Sequence, residues 1–157
     1  EFRTGEPVLL MDADVLYDHR VLRRLVQSAL ANCFLMDRNV DPGEEPVKLA
    51  LRDGRLVDFH KRLTEAHDYY GEWIGFMRIS AEMGPSLART LEEFVTAARR
   101  ADMYEEALRH LILTHPPATF GVEDITGLPW IEIDFAEDVK RAESEILPRL
   151  AAHERVA

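Results

Sequence analysis

The sequence predicts a single α/β domain in which helices cover a mixed β-sheet. Its 157 residues match the ordinary size of one domain. Short apolar runs of strand length alternate along the chain with segments whose apolar side chains recur at helical spacing. The dipeptide Asp53-Gly54 between two apolar runs predicts a β-hairpin, so the sheet includes an antiparallel pair. Strands that alternate with helices usually form a sheet that the helices cover.

The first half of the chain predicts two strands, one helix and the hairpin. Residues 7–11 and 32–36 are apolar runs of strand length, and residues 19–30 between them have the periodicity of an amphipathic helix. Residues 37–46 contain Asp, Asn, Pro and Gly and predict a loop. The apolar runs on either side of Asp53-Gly54 form the two arms of the hairpin.

A strand and two helices are predicted next. Residues 73–79 form another apolar run, and Ser80 is placed to cap a helix that continues to about residue 100. Asp102 and Glu105 have the spacing of a capping box, which predicts a helix that ends near residue 113.

A last strand and a last helix complete the predicted order. Residues 130–133 predict the strand, and Asp134 with Glu137 has capping-box spacing at the start of a helix that reaches about residue 147. Pro148 is expected to kink or end this helix because proline has no N–H to donate. No internal stretch resembles an interdomain linker, so residues 1–157 are expected to form one domain.

The charge balance argues against two classes of partner. The chain has 29 acidic and 19 basic residues and a formal net charge of −10. Nucleic-acid backbones and anionic membranes both require clustered Lys and Arg, so we expect neither as a partner. A small phosphorylated substrate remains compatible with an acidic protein, because a divalent metal can supply the positive charge.

Cysteine content and hydropathy favour a reducing, cytoplasmic setting. Cys33 is the single cysteine, which excludes an intramolecular disulfide and a multi-cysteine zinc site. It lies in an apolar run, which favours a buried structural thiol over a nucleophile. No apolar stretch approaches the roughly 20 residues that a membrane span requires, and no leader pattern opens the sequence.

Asp12 and Asp14 follow the first predicted strand and are candidate metal ligands. Residues two apart in an extended chain point the same way, and ligands of α/β sheets usually bind at the carboxyl ends of strands. Carboxylate oxygens of this kind suit Mg²⁺ or Mn²⁺. The alternative is a polar exit from the strand with two solvated aspartates.

Asp134 is a second acidic position with two interpretations. It is either the cap of the last helix or a metal ligand, and one carboxylate can serve both purposes. Glu132 alternates with Ile131 and Ile133, so it is expected on the same strand face as Trp130 and Asp134.

Two further features are ambiguous from local sequence. Gly71 and Gly75 flank Glu72 and Trp73, and they either allow backbone to approach a ligand or form a turn that enters a strand. Lys61 follows the hairpin and could reach a phosphate, although a solvated lysine is the commoner outcome.

Several segments, taken together in their order along the chain, indicate a resemblance to other proteins. They are residues 9–18, residues 47–48 and 53–57 with Lys61, residues 71–76, residues 104–108, and residues 128–139 with 141–142. In this order they resemble the nucleotidyltransferase family that includes phosphocholine, inositol-phosphate and aminoethylphosphonate cytidylyltransferases and sugar-phosphate nucleotidyltransferases. The resemblance covers about residues 8–147, and the Trp-Ile-Glu-Ile-Asp block is its most specific part.

The resemblance implies a glycosyltransferase-A-like three-layer α/β/α sandwich with a mixed sheet. It also implies transfer of a nucleotidyl group from a nucleoside triphosphate, with CTP preferred, to a small phosphate or phosphonate acceptor. Pyrophosphate is released, and Mg²⁺ or Mn²⁺ is the implied cofactor. A sugar 1-phosphate is the alternative acceptor, and the sequence is compatible with a homo-oligomer.

Individual positions take the functions of the family motifs that they match. Asp14 is the implied catalytic metal ligand, helped by Asp12, and Asp134 is the second metal-binding aspartate. Lys61 falls at a catalytic, substrate-contacting lysine, and Glu72 lies in a block that lines the acceptor pocket.

The sequence departs from the family at its beginning. Family members start with a strand and a Gly-rich loop that contains Arg and is followed by Lys, and these bind the triphosphate. About seven residues precede the first predicted strand here, and no Gly-rich loop is present. We therefore expect a C-terminal, metal- and acceptor-binding portion of a longer enzyme. The alternative is a non-catalytic interaction module.

Aromatic residues next to carboxylates raise the question of a cationic acceptor. Three such groupings are expected at the substrate site: Trp73 with Glu72, Tyr104 with Glu105, and Trp130 with Glu132. A cation over an aromatic ring gains about 0.5–2 kcal/mol, which suits an amine or quaternary ammonium head group. Tryptophans are more often core residues, so a neutral polyol or sugar phosphate remains the alternative.

Overall fold

A six-stranded mixed sheet forms the centre of the protein in the computed structural model, which describes residues 2–39, 46–97 and 103–154. The strands are β1 (Val8–Met11), β2 (Val15–Tyr17), β3 (Cys33–Asp37), β4 (Lys48–Arg52), β5 (Arg55–His60), β6 (Tyr69–Ile79), β7 (Gly121–Asp124) and β8 (Trp130–Glu132). The helices are α1 (His19–Gln27), α2 (Gly84–Thr96), α3 (Tyr104–Thr114), α4 (Ala136–Arg141) and α5 (Leu147–Glu154), with a π-helical turn at Ala142–Ile146.

The long strand β6 organises the sheet. Its first half pairs with β4 and its second half with β1, while β3 pairs along its opposite edge. Because β1 and β4 share one edge of β6, they diverge and leave a fork between them. The strand order is β5-β4-β6-β3-β7, and only the β3–β7 pair is parallel in this sheet. The predicted mixed sheet is therefore confirmed.

Helices cover both faces of the sheet. Strand β3 is buried throughout and sends alternate side chains to opposite sides. Phe34 packs in a core with residues of α2 and α3, whereas Leu35 packs in a core with residues of α1. This arrangement gives the three layers that the sequence predicts. Cys33 is fully buried in the second core, and burial raises the pKa of its thiol, as expected of a structural cysteine.

Two strands were not predicted from the sequence, because they form by pairing with distant strands and lack a distinctive apolar pattern of their own. Strand β7 contains charged residues and pairs with β3, and the three-residue strand β2 pairs with β8 in a separate two-stranded sheet. The hairpin β4–β5 and the strand β6 agree with prediction, although β6 begins four residues earlier than its apolar run.

Helices α2 and α3 begin at residues other than those that the sequence predicts. Ser80 does not cap α2, because its side chain and carbonyl accept from Met83 N–H in a preceding turn, and the helix begins at Gly84. Asp102 lies outside the described residues, and α3 begins at Tyr104 with Met103 as its N-cap.

Pro148 interrupts the last helical segment without ending it. The helical path continues from α4 through the π-helical turn into α5, which reaches Glu154. The irregular turn lies directly before the proline, where the missing N–H and the ring disturb α-helical hydrogen bonding. No helix in the described part of the chain is long and apolar enough to cross a membrane.

Asp18 caps α1 and offers a test of acid sensitivity. The side chain is buried, accepts from Arg20 N–H at 2.8 Å and pairs with the Arg20 guanidinium at 2.8 Å. These contacts lower the pKa of Asp18 from 3.8 to about 2. We expect Asp18→Ala to lower the free energy of unfolding by about 1–2 kcal/mol at neutral pH.

The sign of the pH dependence follows from the lowered pKa of Asp18. Its stabilising contribution is complete above the unfolded-state pKa and disappears as pH falls through the folded-state value. Denaturant titrations of wild type and Asp18→Ala should therefore give a stability difference that shrinks below about pH 4. A difference that stays constant down to about pH 2.5 would show that the carboxylate charge contributes nothing.

Candidate functional site

The fork between β1 and β4 opens into an acidic cavity of about 540 Å³. Nine of the ten predicted site residues line it: Asp12, Asp14, Lys61, Glu72, Trp73, Tyr104, Glu105, Glu132 and Asp134. They come from segments that are distant in sequence but meet where the two strands separate along β6.

Three carboxylates converge at one part of the cavity. Oxygens of Asp14, Glu132 and Asp134 all lie within 4.8 Å of one another, and the three residues are exposed. The pairing of β2 with β8 produces this convergence, because Val15 lies opposite Glu132 and Ile133 N–H donates to the Asp14 carbonyl at 2.9 Å. The expected approach of Asp14 to Asp134 is present in the fold, and Glu132 joins them. An all-oxygen donor set of this kind fits a hard divalent cation.

Asp12 lies outside the three-carboxylate cluster. Its Oδ1 accepts from the Tyr104 hydroxyl at 2.9 Å, and its N–H donates to the Gly75 carbonyl at 3.1 Å. The geometry therefore gives the third position in the cluster to Glu132 in place of Asp12.

Both glycines of the Gly-Glu-Trp-Ile-Gly block lie inside β6, so the predicted turn is wrong. Gly75 lines the cavity, and the predicted approach of its backbone to a ligand stays a prediction. Gly75 has a φ of 80°, and a side chain there would collide with the Asp12 carboxylate. A side chain at Gly71 would collide with Met36 and the Asp37 carbonyl. Gly75 thus makes room for a site residue, and Gly71 makes room for a neighbouring strand.

The predicted capping box of Asp134 with Glu137 is wrong. Helix α4 begins at Ala136, and the Asp138 carboxylate accepts from the N–H groups of Phe135 at 2.9 Å and Asp134 at 3.2 Å. Asp138 therefore supplies the hydrogen-bond acceptor at the start of α4. The Asp134 side chain does not serve as a cap and is available to the carboxylate cluster.

The acidic groups of the cavity disfavour one another's ionised forms. Partial loss of hydration in the cavity raises the pKa of Glu132, and the charges of Asp134 and Asp14 raise it further. Burial also raises the pKa values of Asp12 and Glu105. A bound cation would relieve these penalties, so the electrostatics agree with the donor set.

Tyr104 acts as a fixed hydrogen-bond donor. Burial and the hydrogen bond to Asp12 raise the pKa of Tyr104 far above its usual range, so its hydroxyl stays protonated. The ring also packs edge-on against Trp73, at 6.1 Å between centroids. Helix α3 is thereby held against the segment that follows β1.

The segment that carries Lys61 is anchored by an ion pair between a buried aspartate and a partly buried arginine, which was not predicted from the sequence. Asp58 is completely buried and accepts from Arg109 Nε at 2.9 Å and from Thr64 N–H at 2.7 Å. Lys48 Nζ also donates to the Lys61 carbonyl at 3.0 Å. The only sequence signal was an aspartate that interrupts the apolar residues of β5.

The two tryptophans have different surroundings. Trp73 is 6% exposed, packs against Phe34 and Phe59, and donates from Nε1 to the Phe76 carbonyl at 3.0 Å. Trp130 lies outside the acidic cavity but lines a neighbouring one that shares Glu72, Glu132 and Asp134 with it, and its Nε1 donates to Asp37 at 2.8 Å. A contact of Trp130 with substrate therefore stays a prediction.

The three-layer architecture, with its mixed sheet, is a glycosyltransferase-A-like fold that is shared with several solved structures. It is similar to the inositol-1-phosphate CTP transferase from T. maritima, with a TM-score of 0.60 and 15% identity over 92% of this chain and 56% of that protein. A putative glucose-1-phosphate thymidylyltransferase from Bacillus anthracis gives a TM-score of 0.64 and 11% identity over 90% and 55% of the two chains.

A third similar structure is the mannose-1-phosphate geranyltransferase from Thermus thermophilus. Its TM-score is 0.52 at 17% identity, over 89% of this chain and 50% of that protein. No family model matches the sequence. The chain thus shares a fold with these proteins and spans about half of their length.

Proposed function

We propose that this chain is the metal- and acceptor-binding portion of a nucleotidyltransferase. The proposed reaction transfers a nucleotidyl group from a nucleoside triphosphate, with CTP as the preferred donor, to a small phosphate or phosphonate acceptor. The convergence of Asp14, Glu132 and Asp134 at a cavity carries this proposal. The similarity to nucleotidyltransferase folds supports it.

The reaction places modest chemical demands on the protein. An oxygen of the acceptor attacks the α-phosphorus of the triphosphate, a new O–P bond forms, and the bond to the β-phosphate oxygen breaks. Pyrophosphate leaves with the electron pair of that bond. An acceptor that is already ionised has no proton to lose, so a general base is not required. Positioning and charge stabilisation therefore account for the catalysis.

The carboxylate cluster fits Mg²⁺ or Mn²⁺, and Asp14, Glu132 and Asp134 would hold it. When bound, such an ion supplies Lewis-acid polarisation and charge neutralisation at phosphoryl oxygens. Lys61 lines the same cavity and would bind an acceptor or transferred phosphoryl oxygen as a point charge. The Asp58–Arg109 pair would keep the Lys61 segment in place.

The choice of CTP and of the acceptor class is open to direct measurement. Pyrophosphate release by the complete natural protein should be followed with CTP, UTP, dTTP, ATP and GTP against phosphonate, phosphate-ester and sugar 1-phosphate acceptors. We expect release with CTP and a non-sugar acceptor in the presence of Mg²⁺. Release with dTTP and glucose 1-phosphate alone would contradict the preferred donor and acceptor. Absence of release with every pair would favour the non-catalytic module.

The proposed portion should bind nucleotide poorly when it is alone. Among the described residues that line the cavity, Lys61 is the single lysine and arginine is absent, and the sequence has no Gly-rich loop. A triphosphate normally requires backbone N–H groups and several cationic side chains. We expect titration calorimetry of these 157 residues with CTP and Mg²⁺ to show a Kd weaker than about 100 μM. Micromolar binding would contradict the assignment to an incomplete site.

A further inference from the structure

We propose that Asp138 is a positioning residue for the carboxylate cluster, because its side chain fixes the backbone of Asp134. This assignment rests on the proposed metal site, which includes Asp134 among its three ligands. Asp138 itself lies outside the cluster and acts only through the residue that it holds.

Asp134 is the ligand of the cluster that follows the end of β8. The β2–β8 ladder holds the other two ligands, because Val15 lies opposite Glu132 and directly follows Asp14. The strand β8 ends with Glu132, and the Ile133 N–H donates to the Asp14 carbonyl at 2.9 Å. Asp134 is the first residue beyond these contacts, so its position depends on what holds the chain between β8 and α4.

One oxygen of Asp138 holds both peptide groups that flank the Cα atom of Asp134. Asp138 Oδ2 accepts from the Asp134 N–H at 3.2 Å and from the Phe135 N–H at 2.9 Å. Peptide groups are planar, so the orientations of two successive groups determine the φ and ψ angles of the residue between them. These angles determine the direction of the Cα–Cβ bond, and therefore where the Asp134 carboxylate points.

Helix capping explains only one of these two hydrogen bonds. An acidic residue at the third position of a helix ordinarily accepts from the N–H of the N-cap residue, which is Phe135 in α4. The Asp134 N–H lies before the N-cap and is not one of the groups that a helix start leaves unpaired. The additional contact therefore serves the position of Asp134 and not the helix.

Side-chain packing does not explain the position of this segment. The Phe135 side chain is 70% exposed, and Asp134 is exposed as well. The Asp138 side chain is only 17% exposed, and its Oδ1 lies 3.7 Å from Arg141 Nη1. Arg141 thus attracts one oxygen while the other accepts the two N–H groups, which keeps the carboxylate in its orientation.

The hydrogen bonds of Asp138 and the binding of a metal ion should stabilise each other. A ligand that is already in position loses less conformational freedom when the ion binds. Such coupling is reciprocal, so a bound ion should also strengthen the hydrogen bonds that Asp138 accepts. Mg²⁺ should therefore slow the hydrogen exchange of the Asp134 and Phe135 N–H groups in the wild type.

Mn²⁺ affinity, measured by electron paramagnetic resonance, separates the hydrogen bonds of Asp138 from its charge. We expect Asp138→Ala to bind Mn²⁺ at least about tenfold more weakly than the wild type, as is usual when a group that orients a metal ligand is lost. Asp138→Asn keeps an oxygen that can accept from both N–H groups. Its affinity should therefore remain close to that of Glu137→Gln, which removes a neighbouring charge without removing these contacts.

Val139→Gly is the control for helix stability. It weakens α4, because glycine disfavours a helix, but it leaves the charge and the contacts of Asp138 unchanged. Its Mn²⁺ affinity should match that of the wild type, although its melting temperature should be lower. A loss of affinity in Val139→Gly as large as that in Asp138→Ala would make Asp138 a helix cap only and overturn the proposal.

Two further results would overturn the proposal. They are equal Mn²⁺ affinity in the wild type and Asp138→Ala, and an affinity of Asp138→Asn as low as that of Asp138→Ala. Either result would leave the metal site intact. Absence of Mn²⁺ binding by the wild type would contradict the metal site itself and remove the assignment of Asp138 with it. Absence of pyrophosphate release with every substrate pair would contradict nucleotidyl transfer alone, because metal binding tests Asp138 without turnover.

Discussion

Asp14→Asn is expected to abolish divalent-metal binding by this chain and to reduce the proposed nucleotidyl transfer at least about a hundredfold. Asp14 contributes one of three carboxylate oxygens that lie within 4.8 Å of one another. An amide is neutral, so its metal affinity is much lower. The fold should persist, because the residue is exposed and its carbonyl, not its side chain, holds Ile133 N–H.

Mn²⁺ binding measured by electron paramagnetic resonance gives a readout that does not depend on turnover. Wild type should bind Mn²⁺ and gain thermal stability with its concentration, as expected for a ligand that binds only the folded state. Asp14→Asn should lose both effects. Glu137→Gln is the matched control, because this exposed carboxylate in the first turn of α4 lies outside the cluster. Equal Mn²⁺ affinity in Asp14→Asn and the control would contradict the metal site.

Asp134→Asn should match Asp14→Asn in metal binding and leave stability unchanged. The sequence alone predicts a stability loss at this position, since it makes Asp134 a helix cap. The structure assigns the capping hydrogen bonds to Asp138, so the expected change in free energy of unfolding for metal-free Asp134→Asn is near zero.

Arg109→Met is expected to lower the free energy of unfolding by about 3–5 kcal/mol. The substitution leaves the Asp58 carboxylate buried without its cationic partner, which lies at 2.9 Å in the wild type. It also removes a hydrogen bond to Thr64 Oγ1 at 2.9 Å, in the segment that follows Lys61. We therefore expect a weaker affinity for the proposed acceptor in addition to the stability loss.

Urea denaturation of Arg109→Met should be compared with Arg89→Met. Arg89 is an exposed residue that pairs with Glu93 on one helix at 4.0 Å, and such pairs contribute about 0.5 kcal/mol or less. The double variant Asp58→Leu/Arg109→Met should recover part of the lost stability, because no unpaired charge stays buried. A loss in Arg109→Met no larger than that of the control would show that the buried pair is not an anchor.

The stability that the Asp58–Arg109 pair contributes should decrease at low pH. Burial raises the pKa of Asp58, but hydrogen bonds from Arg109 and from the backbone N–H groups of Thr64, Glu65 and Phe59 outweigh it and leave the pKa below its usual range. The contribution of the pair is therefore complete above the unfolded-state pKa and is lost as pH falls through the folded-state value. Wild type and Arg109→Met should converge in stability under acid conditions.

Features that depend on one short segment could be predicted from the sequence pattern of that segment. Asp53-Gly54 predicted the hairpin because a two-residue turn is determined by its own residues, and both have positive φ in the structure. The candidate Asp14 was found because it directly follows an apolar strand. Alternation along residues 130–134 placed Glu132 and Asp134 on one face.

The sequence predicted most of the strands and helices, the mixed sheet and the aspartates that are candidates for metal binding. It did not predict which carboxylates meet, because the β2–β8 register and the fork along β6 depend on pairing between distant strands. Asp58 and Arg109 are 51 residues apart, and Asp12 and Tyr104 are 92 residues apart. Periodicity reports which face of an element is buried, and it contains no information about the partner that buries it.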